Sequence, residues 1–258
     1  MEFPYYLQFG PLRLHPHWVF EALAYAVAFR IYLRLRRSRG DPVSEDVRWW
    51  VIAAAAAGAA LGSKLLYWLE EPSLTLARWN DPAYLMGGKT IVGALIGGLI
   101  CVEWAKGRLR VTSSTGDLFA IPLALGIAIG RIGCFLTGLP DHTYGTPTRL
   151  PWGVNFGDGI SRHPTQLYEV AFLILLAALL WRLNQRPRPN GDVFKAFMVG
   201  YMGFRLLVDS LKPEATLAGR SSIQWAAALM LVYYAPDVRR WVVGGPGPET
   251  LAQLPQTQ

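Results

Sequence analysis

Long apolar runs separated by short basic connections constrain this chain more than any other feature. Seven candidate spans lie near 17–35, 49–69, 84–105, 117–137, 166–183, 193–211 and 222–236. Each compares with the roughly 20 apolar residues needed to cross the hydrocarbon core of a bilayer, and the last is the shortest. Hydrophobic residues make up 52% of the 258, and charged residues only 17%, against roughly 25% in soluble domains. The expected fold is an all-α polytopic membrane helix bundle of about seven transmembrane spans with an outward-facing cap loop.

The formal net charge of +7 is not spread evenly. Arg36-Arg37-Ser38-Arg39, Lys106-Gly107-Arg108-Leu109-Arg110, Arg186-Pro187-Arg188 and Arg239-Arg240 all fall on one side if the spans alternate. That distribution reads as membrane topology and excludes a nucleic-acid-binding face. The positive-inside rule puts these connections in the cytoplasm, the N-terminus outside and the C-terminus inside. The start, MEFPYYLQFGPLRLHPH, lacks a charged segment followed by an apolar core, so no cleaved leader is expected and the first span itself directs insertion. A multi-spanning inner-membrane protein is expected. One integral membrane domain is expected over 1–243, with no internal repeat. The Pro/Gly/Gln-rich tail over 244–258 is expected to be disordered and cytoplasmic.

Polar groups inside or beside the spans are the candidate functional residues, because ionisable groups in a membrane are costly and tend to mark function. His17 and Glu21 are four apart and share a helix face near the outer end of the first span; a His beside a carboxylate suits proton abstraction, and a water-exposed interfacial pair is the alternative. Lys64 in the second span is either interfacial or a phosphate partner. The third span opens with Gly87-Gly88-Lys89-Thr90, without the spacing of a phosphate loop. Lys89 there is a candidate lipid-phosphate ligand, and Gly93 with Gly97 forms a small-residue helix contact. Arg131 ends the fourth span. Tyr201, Arg205 and Asp209 recur every four residues along the sixth. Two spans that each bring an arginine inward suggest an anion held between them, since guanidinium matches phosphate geometry; an Arg205–Asp209 ion pair is the structural alternative.

Between the fourth and fifth spans runs GRIGCFLTGLPDHTYGTPTRLPWGVNFGDGISRHPTQLYE, residues 130–169, a long polar loop between two apolar walls. Such loops are more often functional than idle. Asp141, His142, Asp158 and His163 are its further candidates, with Asp158, between two glycines, read as a turn residue. Cys101 and Cys134 sit in apolar segments and offer neither metal spacing nor a disulfide framework.

The block His163-Pro164-Thr165-Gln166-Leu167-Tyr168-Glu169, the Gly130-Arg131-Ile132-Gly133 start, the turn at 186–191 and the Tyr201…Arg205 pair resemble bacterial prolipoprotein diacylglyceryl transferase, and the seven-span, N-outside layout is similar. The resemblance implies transfer of a diacylglyceryl group from phosphatidylglycerol to the thiol of a lipobox cysteine in a prolipoprotein signal peptide. Arg131 and Arg205, with Lys89, would bind the phospholipid headgroup; His17, Glu21, His163 and Tyr201 would form the catalytic set. No cofactor and no metal are implied. The family signature continues Gly-Arg-x-Gly-Asn-Phe-x-Asn-x-Glu, and here those positions carry Cys134, Thr137 and Leu139. The family's third-span His corresponds to Val92, and its early Tyr falls at His17. A different acceptor with the same phospholipid donor, or a non-enzymatic lipid-binding or transport role, are the alternatives.

Overall fold

The computed structural model describes residues 3–213 and 218–244; the tail expected at 244–258 lies, from 245 onward, outside them. The chain begins with a small antiparallel hairpin, β1 (Leu7–Phe9) on β2 (Leu12–Leu14). Helices then carry nearly all of the structure: α1 (Pro16–Arg39), α2 (Glu45–Trp68), the short α3 (Pro72–Ala77) and α4 (Pro82–Met86), α5 (Ile91–Leu109), α6 (Asp117–Thr137), α7 (Thr165–Asn184), α8 (Asp192–Val208), α9 (Ser222–Tyr233) and α10 (Ala235–Val243). Between α6 and α7 lie a 3-10 turn at Leu139–Asp141 and a second hairpin, β3 (Val154–Asn155) on β4 (Ser161–Arg162). Among the described residues the architecture is all-helical apart from these two short hairpins and an isolated bridge between Pro147 and Arg162. Among the described residues, α2, α6 and α7 are long and apolar enough to cross a membrane.

Local sequence explains where the helices start. Pro16 occupies the first turn of α1, where its missing N–H costs nothing, and the His15 ring accepts from His17 N. The third apolar run divides: Gly88 takes φ +46°, and Thr90 then caps α5 by accepting from Gly93 N. The continuous helix therefore starts at Ile91 and not near residue 84, because a left-handed glycine followed by an N-cap ends one element and begins another. A capping box between Ser221 and Gln224 opens α9. The last run also divides, at Tyr234, with Pro236 in the first turn of α10.

Two helix pairs make the frame. In the first, α2 and α5 cross on glycines: a methyl group on Gly58 would stand 2.3 Å from Gly97 O, and one on Gly62 would stand 2.3 Å from Gly93 O. This is the small-residue contact expected of Gly93 and Gly97, and backbones approach this closely only where side chains are absent. In the second, α1 lies along α6, which also packs on α7 and α8. Here Gly133 is the point of approach, since an added Cβ would meet Phe20 Cβ at 2.8 Å and His17 Cα at 3.4 Å. The shared core includes Leu173, Leu180, Phe197, Met198 and Met202, all buried. Outward, α7 exposes Ile174, Leu175 and Leu179, while Gln166 and Glu169 point inward and are buried. Apolar outside and charged inside is the arrangement lipid selects.

Candidate functional site

Three helices build a buried ionic network. Arg131, near the end of α6, lies 2.8 Å (Nε to Oε2) from Glu169, one turn into α7. The other carboxylate oxygen of Glu169 accepts from Tyr201 Oη on α8 at 2.6 Å. Arg205, one turn further along α8, donates to that same hydroxyl at 3.4 Å and grips Asp209 through Nε and Nη2, each at 2.9 Å to one of its oxygens. Lys212 closes the chain on Asp209 at 3.1 Å. Among the described residues, Arg131, Arg205 and Lys212 thus meet the carboxylates of Glu169 and Asp209 in a buried setting where charge is expensive unless it is paired.

The two arginines are not equivalent. Arg205 spends its donors on Asp209 and Tyr201, so its ion pair with Asp209 accounts for it structurally. Arg131 does not. Its Nε–H is not aimed along the line to Glu169 and, among the described residues, has no hydrogen-bond partner. Both polar atoms of the Gln166 side chain, 1% exposed, are likewise without partners among the described residues. Buried polar groups in native proteins are nearly always satisfied, so Gln166, one turn before Glu169 on α7, is a buried amide with bonding capacity to spare.

Next to this network lies a second cluster. His17, in the first turn of α1, has Nδ1 3.1 Å from Asp141 Oδ1 and Nε2 3.8 Å from Glu21 Oε2. Glu21 in turn meets Lys89 at 3.2 Å. The i,i+4 relation of His17 and Glu21 therefore does bring them together. Lys89 keeps a largely exposed side chain at the rim. Asp141, which ends the 3-10 turn, also accepts from Thr143 Oγ1 at 2.6 Å. Burial pushes its carboxyl up, but the hydrogen bonds from His17 and Thr143 outweigh burial and hold it below the ordinary carboxylate range. Cys134 joins the two clusters: its Sγ is 4.0 Å from Arg131 Nη1, one turn away on α6, and His17 faces it across the Gly133 contact.

Other candidates are drawn elsewhere. His163 Nδ1 pairs with Tyr168 Oη at 3.2 Å, and Tyr168 accepts from Trp152 Nε1 at 2.8 Å. The backbone of His163 also bonds that of Gly145 and Thr146. These contacts order the 138–164 loop and do not join His163 to the arginines. Asp158 is a turn residue, bonding Ile160 N and Arg162. Lys64 donates to the carbonyls of Met86, Gly87 and Gly88, which end α4, so it serves as a helix cap and not as a phosphate partner. Gln166 and Glu169 belong to the HPTQLYE block without having been singled out as site residues. The available signal was a carboxylate inside the first turns of an apolar helix, masked because those turns adjoin a polar loop.

A helical membrane protein with a buried ionic network is the class these features define. Residues 4–236 match the family model for prolipoprotein diacylglyceryl transferase. Among similar proteins is a phosphatidylglycerol–prolipoprotein diacylglyceryl transferase of Bordetella parapertussis, 35% identical over 249 residues that span 89% of this chain and 91% of that protein. The proteins of the same name from Bordetella avium and Paracidovorax citrulli are 33% and 32% identical, covering 92% and 89% of this chain and 95% and 92% of their own. The chain belongs to the prolipoprotein diacylglyceryl transferase family.

Proposed function

We propose that this protein transfers a diacylglyceryl group from phosphatidylglycerol to the lipobox cysteine thiol of prolipoproteins. Family membership supports the reaction, and one observation ties it to this chain: α6 and α8 each bring a buried arginine, Arg131 and Arg205, to the Glu169–Tyr201 pair. The phosphate of the lipid headgroup meets the Nη side of the Arg131 guanidinium, whose Nε side is held by Glu169. As the glycerol C–O bond breaks, charge grows on the departing phosphate oxygen, and Arg131 offsets it. Tyr201 and Glu169 fix the guanidinium, Arg205 acts through Tyr201, and Lys89 attracts the headgroup at the rim. His17, with Glu21 behind it, serves the acceptor thiol, which must lose its proton to become a nucleophile. His163 holds the loop that covers the site.

The same reading gives the topology. Helices α1, α2, α5, α6, α7, α8 and α9 are the seven spans, although α9, with 12 residues, extends only about 18 Å at 1.5 Å per residue. Basic residues crowd the last turns of α1 (Arg36, Arg37, Arg39), α5 (Lys106, Arg108) and α7 (Arg182), which supports a cytoplasmic side there and an inner-membrane location. The 138–164 loop then caps the outer face, and residues 1–243 act as one membrane domain.

The test is transfer of radiolabel from the diacylglyceryl part of phosphatidylglycerol to a lipobox peptide by purified protein in detergent. Label is expected on the peptide thiol, and Arg131→Ala should bind the lipid at least about tenfold more weakly, since hydrogen bonds from a charged donor are worth about 1.5–3 kcal/mol. Lipid binding without transfer would overturn the reading in favour of a lipid-binding role.

A further inference from the structure

The proposed reaction leaves the acceptor's proton to be accounted for, and His17, Cys134 and Asp141 bear on it. They come from three elements, the start of α1, the end of α6 and the 3-10 turn. One ligand atom from each (a ring nitrogen, Sγ, a carboxylate oxygen) lies within 4.8 Å of the other two. A nucleophilic relay arranges the same residue types differently: thiol and carboxylate use opposite ring nitrogens and stand well apart. Here thiol and carboxylate are themselves neighbours. A Cys134 nucleophile would also be a dead end, because attack on the glycerol carbon leaves a thioether with no means of passing the group on.

Convergent sulfur, nitrogen and oxygen ligands are what zinc takes. Three protein ligands with a fourth position open is the pattern of its catalytic sites, and bonds of about 2.0–2.3 Å place tetrahedral ligand atoms about 3.5 Å apart. His17 Nδ1 and Asp141 Oδ1 already stand at 3.1 Å. The surroundings fit as well. Thr143 occupies the other oxygen of Asp141. Glu21 lies beyond Nε2 of His17, as carboxylates do behind metal-bound imidazoles to fix the ring. The side chain of His17 is 34% exposed, so the cluster is reachable from outside.

We propose that His17, Cys134 and Asp141 form a zinc site whose open position receives the acceptor thiol. Its catalytic use rests on the transferase reading; the binding of metal does not. The acceptor S–H gives its proton to solvent water as the S–Zn bond forms, since a coordinating thiol is deprotonated outright. The metal-bound sulfur then donates a lone pair to the glycerol carbon. The C–O bond breaks, its electron pair leaves with the phosphate held by Arg131, and the resulting thioether, a poorer ligand, is released. His17 thus acts as a ligand and not as the base.

The experiment loads the full-length protein in detergent with zinc, removes loosely held metal and measures zinc per chain by mass spectrometry, in parallel with cobalt(II) substitution. About one zinc per chain is expected, together with a thiolate-to-cobalt absorption band; Cys134→Ser should lose the band, and Asp141→Asn should lose most of the zinc. Zinc retained equally by both variants, or cobalt bound without the thiolate band, would overturn the site. Chelator-stripped protein should lose transfer and regain it with zinc. Full transfer by the metal-free protein would remove the metal's role and leave the transferase reading intact. Zinc bound as expected with no transfer of label would keep the site and remove the transferase reading.

Discussion

Glu169 is the residue on which the buried network turns. It stands between Arg131 and the Tyr201 hydroxyl, and it is 2% exposed. Removing one member of a buried ion pair leaves an uncompensated charge, at a cost of about 3–5 kcal/mol. Glu169→Gln should therefore lower the thermal midpoint of the detergent-solubilised protein sharply. Tyr201→Phe keeps every charge and deletes one hydrogen bond, typically about 0.5–1.5 kcal/mol and up to about 3 kcal/mol where a charged partner is involved, so its drop should be clearly smaller. Equal drops would mean that hydrogen-bond geometry, and not charge balance, holds Arg131. The residue scale is also where the sequence was most legible: Arg131, Tyr201 and Arg205 stood out as polar groups in apolar runs. The difference between the arginines was not legible, because it depends on which donors Asp209 and Tyr201 consume.

At the scale of elements, the α2–α5 crossing depends on glycines whose missing side chains let two backbones touch. Gly58→Ala would press a methyl group to 2.3 Å from the Gly97 carbonyl, and backbone cannot rotate out of the way. Gly107, on the same helix pair but with nothing within 4 Å of an added Cβ, lacks that constraint; alanine there gains helix propensity of about 1 kcal/mol. The two alanine substitutions should shift the thermal midpoint in opposite directions. A Gly58→Ala protein as stable as the parent would show that the helices can separate at no cost. Most element boundaries followed from apolar run length and caps. The third and last runs were exceptions: Gly88 with Thr90 breaks the one, and Tyr234 followed by Pro236 divides the other.

For the whole molecule, the proposed orientation puts the C-terminal tail and the 138–164 loop on opposite sides of the membrane. An epitope tag inserted between Gly157 and Gly159, both at exposed positions with positive φ, should be detected on intact spheroplasts. A tag following Gln258 should be detected only after permeabilisation. The reverse pattern would overturn the N-outside topology and put the candidate site on the wrong face for a secreted acceptor.

Composition, run length and the placement of arginines determined by themselves that this chain is a helical membrane protein, because burial in lipid is a property of each segment taken singly. The HPTQLYE block and its companions carried the family for a related reason: they are contiguous. What only the tertiary structure decided is which polar groups meet. Gly133 lets α1 lie against α6, and that approach brings His17 to Cys134 and Asp141; α6 on α7 sets Arg131 against Glu169. Neither meeting leaves a spacing in the sequence, since each is fixed by the packing of helices far apart along the chain. The cluster of His17, Cys134 and Asp141 is likewise one that the fold alone assembles.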